Sequence, residues 1–169
     1  MSKTLPRLDN FHIDRFFEEK IGNKHYIKCL TKDELGKLSA KRMFSIINSQ
    51  DSDTKSFEDA HWTMVYTLDD NYGIIFDSMG ADPNEDTLKF MRKCAKKYDQ
   101  EIIMNDSHYQ KFNTNSCAWY CIFIILHLLE GYTYKQILGI FKENNLKQNE
   151  KYLYDYFKND ITYMTEEPI

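Results

Sequence analysis

Residues Gln110–Gly131, QKFNTNSCAWYCIFIILHLLEG, join a polar, turn-prone segment directly to an apolar run, and Cys117 stands at the junction. The run is apolar nearly all round, which predicts a helix from Cys117 to Glu130 lying at the centre of a core. Gly131 is its natural C-cap. Ala118 to Leu129 is shorter than the roughly 18 residues of a membrane span and carries His127, so a soluble chain is expected. A cysteine here is either the first buried residue of the helix or a residue placed to react. The neighbouring segments bear on that choice.

The chain has 169 residues, with 42% hydrophobic and 28% charged, the composition of an ordinary globular protein. One domain spanning residues 1–169 is expected, because three prolines, six glycines and no repeat leave little room for a linker. A net charge of −4 argues against a generally basic nucleic-acid binder. Cys29, Cys94, Cys117 and Cys121 include no CxxC pair, and the charged start MSKTLPRLDNFHIDRFFEEK lacks the apolar stretch of a signal peptide. Free thiols in an intracellular protein that is not secreted are therefore expected.

Upstream, TKDELGKL reads as a short helix with Thr31 and Glu34 forming a capping box. A short apolar stretch follows at Met43–Ile47. In AHWTMVYTL, Trp62, Met64, Tyr66 and Leu68 alternate with Thr63, Val65 and Thr67, which predicts a strand with one buried face. DDNYG is a hairpin turn into a second, antiparallel strand, GIIFD. Asp82 as N-cap, Pro83 at N1 and Glu85 at N3 would open a helix to about Tyr98, with Leu88, Met91, Cys94, Ala95 and Tyr98 as its buried stripe. EIIM is a third strand. Two further helices, Thr133–Asn144 and Asn149–Lys158, precede a frayed tail. Strands clustered apart from helices make the fold class α+β: a small mixed or antiparallel sheet packed against the central helix, with flanking helices.

A thiol of ordinary pKa needs a base or a positive environment to act as a nucleophile. The start of a helix supplies the second, through unpaired N–H groups and the macrodipole. His61, at a loop-to-strand boundary, can serve as general base and then acid. Asp77 ends the second strand, so a hairpin places it near His61, where a carboxylate can orient the imidazole. Gln110, on the loop before Cys117, can donate an amide N–H to an oxyanion beside the Cys117 backbone N–H. Each residue alone has a plain structural reading: capping histidine, turn-initiating aspartate, solvated loop glutamine, buried cysteine. Together they give the order His61, Asp77, Gln110, Cys117.

AHWTMVY, FDSMG and the Gln110-x6-Cys117 spacing before an apolar helix resemble the adenain (adenovirus proteinase) type of cysteine peptidase. The same type is encoded by virophages and polinton-type elements, in the clan that also holds the ubiquitin-like-protein proteases. FSIINSQ before the histidine, CAWYCIFIILH and QNEKYLYDYF extend the resemblance from about Leu8 to Phe157. The Gln-to-Cys step favours the adenain side of the clan. Ala118 stands where the family usually has glycine after the cysteine. The resemblance implies a thiol protease with Cys117 as nucleophile, His61 as base, Asp77 as its orienter and Gln110 in the oxyanion hole. It further implies a monomer acting on viral capsid precursors during virion maturation, in the host cytoplasm or nucleus or packaged in the virion. No metal or other cofactor is needed for that chemistry, although the family suggests a peptide or DNA activator. An isopeptidase of the same clan acting on ubiquitin-like proteins, and an inactive binding module with this fold, are the alternatives.

Lys89, Arg92, Lys93, Lys96 and Lys97 share one helical face, which reads as a solvated face and alternatively as a nucleic-acid patch. Cys94 and Cys121 read as core residues. A zinc site from His61, His108, Cys117 and Cys121 matches no closed ligand spacing.

Overall fold

A computed structural model describes residues 3–53 and 60–166. Among the described residues, five strands form one sheet in sequential order: β1 (Leu30–Thr31), β2 (Phe44–Asn48), β3 (Trp62–Tyr66), β4 (Tyr72–Phe76) and β5 (Glu101–Met104). The central pairs β2–β3 and β3–β4 are antiparallel, whereas β1–β2 and β4–β5 are parallel, so the sheet is mixed. The parallel β4–β5 pair needs a crossover, supplied by helix α3 (Glu85–Tyr98).

Helix α4 (Cys117–Leu129) lies on one sheet face against Phe44, Ile46, Trp62, Met64, Ile74 and Phe76. The alternate residues Ile47, Val65 and Ile75 point the other way, to Phe90, Met91 and Cys94 of α3. Both faces of the sheet are therefore covered, where the alternation in AHWTMVYTL suggested one. Val65 and Met64 are both fully buried for that reason. The α3 stripe centres on Phe90, with Leu88, Ala95 and Tyr98 at its partly exposed flanks. Its N-cap is Asn84, whose Oδ1 accepts from Thr87 N at 2.8 Å, two residues beyond the expected Asp82.

The remaining helices are short except for the 12-residue Leu146–Phe157. Helix α1 (Asn10–Arg15) runs into a π-helical turn, Phe16–Ile21, whose Phe17 stacks on Tyr26. Helix α2 (Lys32–Gly36) has the expected box, Glu34 Oε1 accepting from Thr31 N at 2.9 Å. Beyond α4, the chain forms α5 (Tyr134–Leu138), α6 (Leu146–Phe157) and α7 (Ile161–Thr165). The helix expected over Thr133–Asn144 thus stops early, because Asn149 captures both Lys142 N (2.7 Å) and Lys142 O (2.6 Å) in a turn. The described part of the tail expected to fray instead docks, Arg15 donating to Glu166 O and Tyr163 O, and residues 167–169 lie outside the described residues.

On α3, Lys93 and Lys97 donate to the Leu38 and Ala40 carbonyls, so part of the basic face is engaged within the fold. No helix among the described residues is long and apolar enough to cross a membrane.

Candidate active site

His61 precedes β3 by one residue, and its backbone continues the ladder: Ser49 N donates to His61 O at 2.9 Å, and His61 N donates to Ser49 Oγ at 3.1 Å. Asp77 follows β4 directly. With Met64 paired to Phe76, the antiparallel register sets Asp77 opposite Thr63, so His61 is its diagonal neighbour on the same face. The result is a hydrogen bond of 2.7 Å from His61 Nε2 to Asp77 Oδ1.

The turn that follows Asp77 is tightly specified. Asp77 Oδ1 also accepts from Met79 N at 2.8 Å, so the carboxylate shapes the turn as well as holding the ring. Gly80 has φ +67, and a Cβ there would meet the Asp106 and Ser107 carbonyl oxygens at 2.7 Å, so only glycine fits. Asn105, just past β5, clamps the Asp77 backbone: its Nδ2 donates to Asp77 O at 2.6 Å, and its Oδ1 accepts from Asp77 N at 3.1 Å. Tyr134 OH donates to the same Oδ1 at 3.1 Å.

Gln110 is buried, not a solvated loop residue. Its Oε1 accepts from Ser78 Oγ at 2.6 Å, which orients the amide and turns Nε2 toward Thr114. The backbone N–H groups of Tyr109 and Gln110 both donate to Ser78 O. The residue beside the aspartate therefore sets the glutamine, and Ser78 links the two candidate groups, Asp77 and Gln110.

Cys117 is the first residue of α4, and Ser116 occupies its N-cap position without capping it. Ser116 Oγ instead donates to Glu150 Oε1 at 2.7 Å, and Tyr120 OH donates to Glu150 Oε2. Glu150 of α6 thus holds the hydroxyl away from the helix end. The first-turn N–H groups of α4 keep their partial positive charge beside Cys117.

His61, Gln110 and Cys117 line one pocket of about 230 Å³, together with Met79, Arg7 and Trp62. Asp77 stands behind His61, outside that lining. Burial disfavours the charged form of His61, but the Asp77 hydrogen bond, the Cys117 thiol and the Asp77 carboxylate outweigh this and lift its pKa to about 10. Burial pushes the Cys29, Cys94 and Cys121 thiols up. Cys121 Sγ donates to Trp62 O inside the core, and His108 packs edge-on to Phe112, so the zinc constellation is not assembled. Among the described residues no group of three or more His, Cys, Asp or Glu side chains is placed to hold a metal ion.

The four candidate residues are thus brought together. Ser78, Asn105 and Glu150, which hold them, were not singled out from sequence. The serine in FDSMG and the asparagine after EIIM sit where strands end; for Glu150 no sequence signal exists, because its partners lie 30 and 34 residues away.

No family model matches the chain, and no curated protein matches it either. Among solved structures it is similar to the ASFV pS273R protease, with a TM-score of 0.62 and 15% identity, over 90% of this chain and 67% of that one. The selenomethionine form of the same protease gives a TM-score of 0.62 over 95% and 68%. The chain therefore shares the fold of that protease.

Proposed function

We propose that the chain is a cysteine endopeptidase of the adenain type, with Cys117 as nucleophile, His61 as general base and acid, Asp77 as orienter and Gln110 in the oxyanion hole. The observation that carries this reading is the 2.7 Å His61–Asp77 hydrogen bond beside a cysteine at an uncapped helix start. The shared fold of a protease agrees with it.

The chemistry follows from the arrangement. Asp77 occupies Nε2 of His61, so Nδ1 is the nitrogen left to take the thiol proton. The Cys117 thiolate attacks the scissile carbonyl carbon, and the C=O electrons move onto oxygen. That oxyanion sits against the Cys117 N–H and a Gln110 Nε2 hydrogen released from Thr114. Collapse breaks the C–N bond while imidazolium gives its proton to the leaving amine. Water, deprotonated by His61, then attacks the thioester and expels the thiolate. The substrates are viral structural precursors, as the adenain resemblance implies.

Purified protein incubated with candidate capsid precursors tests the reading. Cleavage is expected with the native chain and absent with Cys117→Ala at unchanged circular dichroism. Equal cleavage by Cys117→Ala overturns the assignment.

A further inference from the structure

The catalytic pocket is the middle of three depressions that adjoin in a row. On one side it meets a hollow of about 210 Å³ along Arg7, Leu8, Ala60 and Trp62. On the other it meets a larger one, about 530 Å³, along Lys111, Asn113, Thr114 and Asn115. One segment of chain runs beside all three in order. Lys3–Leu5 line the large hollow, Arg7 and Leu8 the catalytic pocket, and Arg7–Asn10 the small one. This segment is pinned by buried Leu5 and Leu8 and by the 2.7 Å hydrogen bond from Trp119 Nε1 to Pro6 O. An extended stretch of about seven residues spans about 20 Å, enough to flank a bound peptide of similar length.

The large hollow is positively charged at its rim. Lys3, Lys111 and Lys147 are exposed and have no ion-pair partner among the described residues. The carboxylates that line it are engaged: Glu150 by Ser116 and Tyr120, and Asp155 by Lys151 at 2.6 Å. Glu150 keeps its negative charge, since its partners are neutral hydroxyls, but four lysines (Lys3, Lys111, Lys147 and Lys151) against two carboxylates leave the hollow net cationic.

We infer that the row is one groove for an extended polypeptide, and that the large hollow selects substrates carrying acidic side chains on one flank of the scissile bond. The inference rests on the peptidase reading and adds a substrate class to it. An acidic peptide is favoured over nucleic acid because the hollow opens onto the Cys117 pocket and follows the same chain segment. Lys111 and Lys147 come from the loop before Cys117 and from α6, so two separate elements converge on the flank.

The test uses the full chain and a decapeptide library in which one position at a time is Asp/Glu or Lys/Arg, with cleavage read by mass spectrometry. Peptides acidic on one flank are expected to show kcat/KM about fivefold above their basic counterparts at low salt, an advantage that shrinks in about 0.5 M NaCl. Lys111→Glu/Lys147→Glu should abolish or reverse that ratio, whereas Lys96→Glu on α3 should keep it. Cys117-dependent cleavage with no charge preference at any flank position overturns this inference and leaves the peptidase reading intact. Absence of any Cys117-dependent cleavage overturns the peptidase reading itself. Double-stranded DNA that accelerates cleavage of a neutral peptide, and loses that effect in the double variant, overturns the acidic-peptide assignment in favour of nucleic acid.

Discussion

At the residue scale, the His61–Asp77 contact has a pH signature. The folded-state pKa of His61 is raised to about 10, above its ordinary value of 6.5, so the pair's contribution to stability is full below 6.5 and is lost as the pH rises through about 10. Asp77→Asn removes the carboxylate, and the alkaline limb of the kcat/KM profile is expected to move to lower pH. An unmoved limb would take Asp77 out of the orienting role. Gln110→Ala is expected to lower kcat by on the order of 10²-fold while KM changes little, the behaviour of a donor used in the transition state. A change confined to KM would assign Gln110 to ground-state binding.

At the scale of elements, β3 and β4 set the histidine and aspartate, whereas α4 and α6 set the cysteine. Asn105→Ala strips two hydrogen bonds from the Asp77 backbone and one from Tyr134, and a loss of about 1–3 kcal/mol is expected in denaturant titration. A fall in kcat at constant KM should accompany it, since Asp77 loses its seat. Glu150→Ala frees the Ser116 hydroxyl to cap α4 and leaves Tyr120 OH buried without that partner. Slower alkylation of Cys117 is the expected readout, and a rate equal to the native chain would remove Glu150 from the site's support. Much of this scale was legible in the sequence. The alternation around Trp62, the DDNYG turn and the strand GIIFD define the hairpin that makes His61 and Asp77 neighbours. The parallel strand β1 and the early end of α5 were not legible, because both depend on long-range partners rather than local period: β1 pairs with β2, and the turn after α5 closes on Asn149.

At the scale of the whole molecule, one sheet separates two apolar layers, and the candidate site lies where its central strands meet the start of α4. The apolar run of α4 announced the main core, and its join to a polar loop located the cysteine. The role of the N-terminal segment was hidden, since its charged composition carries no period that reports Leu5 and Leu8 docking against the core. Trp119 ties that segment to α4 and packs on Phe157 of α6 at 5.0 Å. Trp119→Ala is expected to destabilise the protein by about 3–5 kcal/mol. The four thiols offer the sharpest comparison within a single sample, because three of them are pushed up by burial while Cys117 stands at the helix start beside His61. Iodoacetamide labelling at neutral pH, followed by peptide mass mapping, should modify Cys117 first, with the rate falling at least about tenfold in His61→Ala. Preferential labelling of Cys29, Cys94 or Cys121, or a Cys117 rate indifferent to His61, would contradict the assignment of Cys117 as the nucleophile.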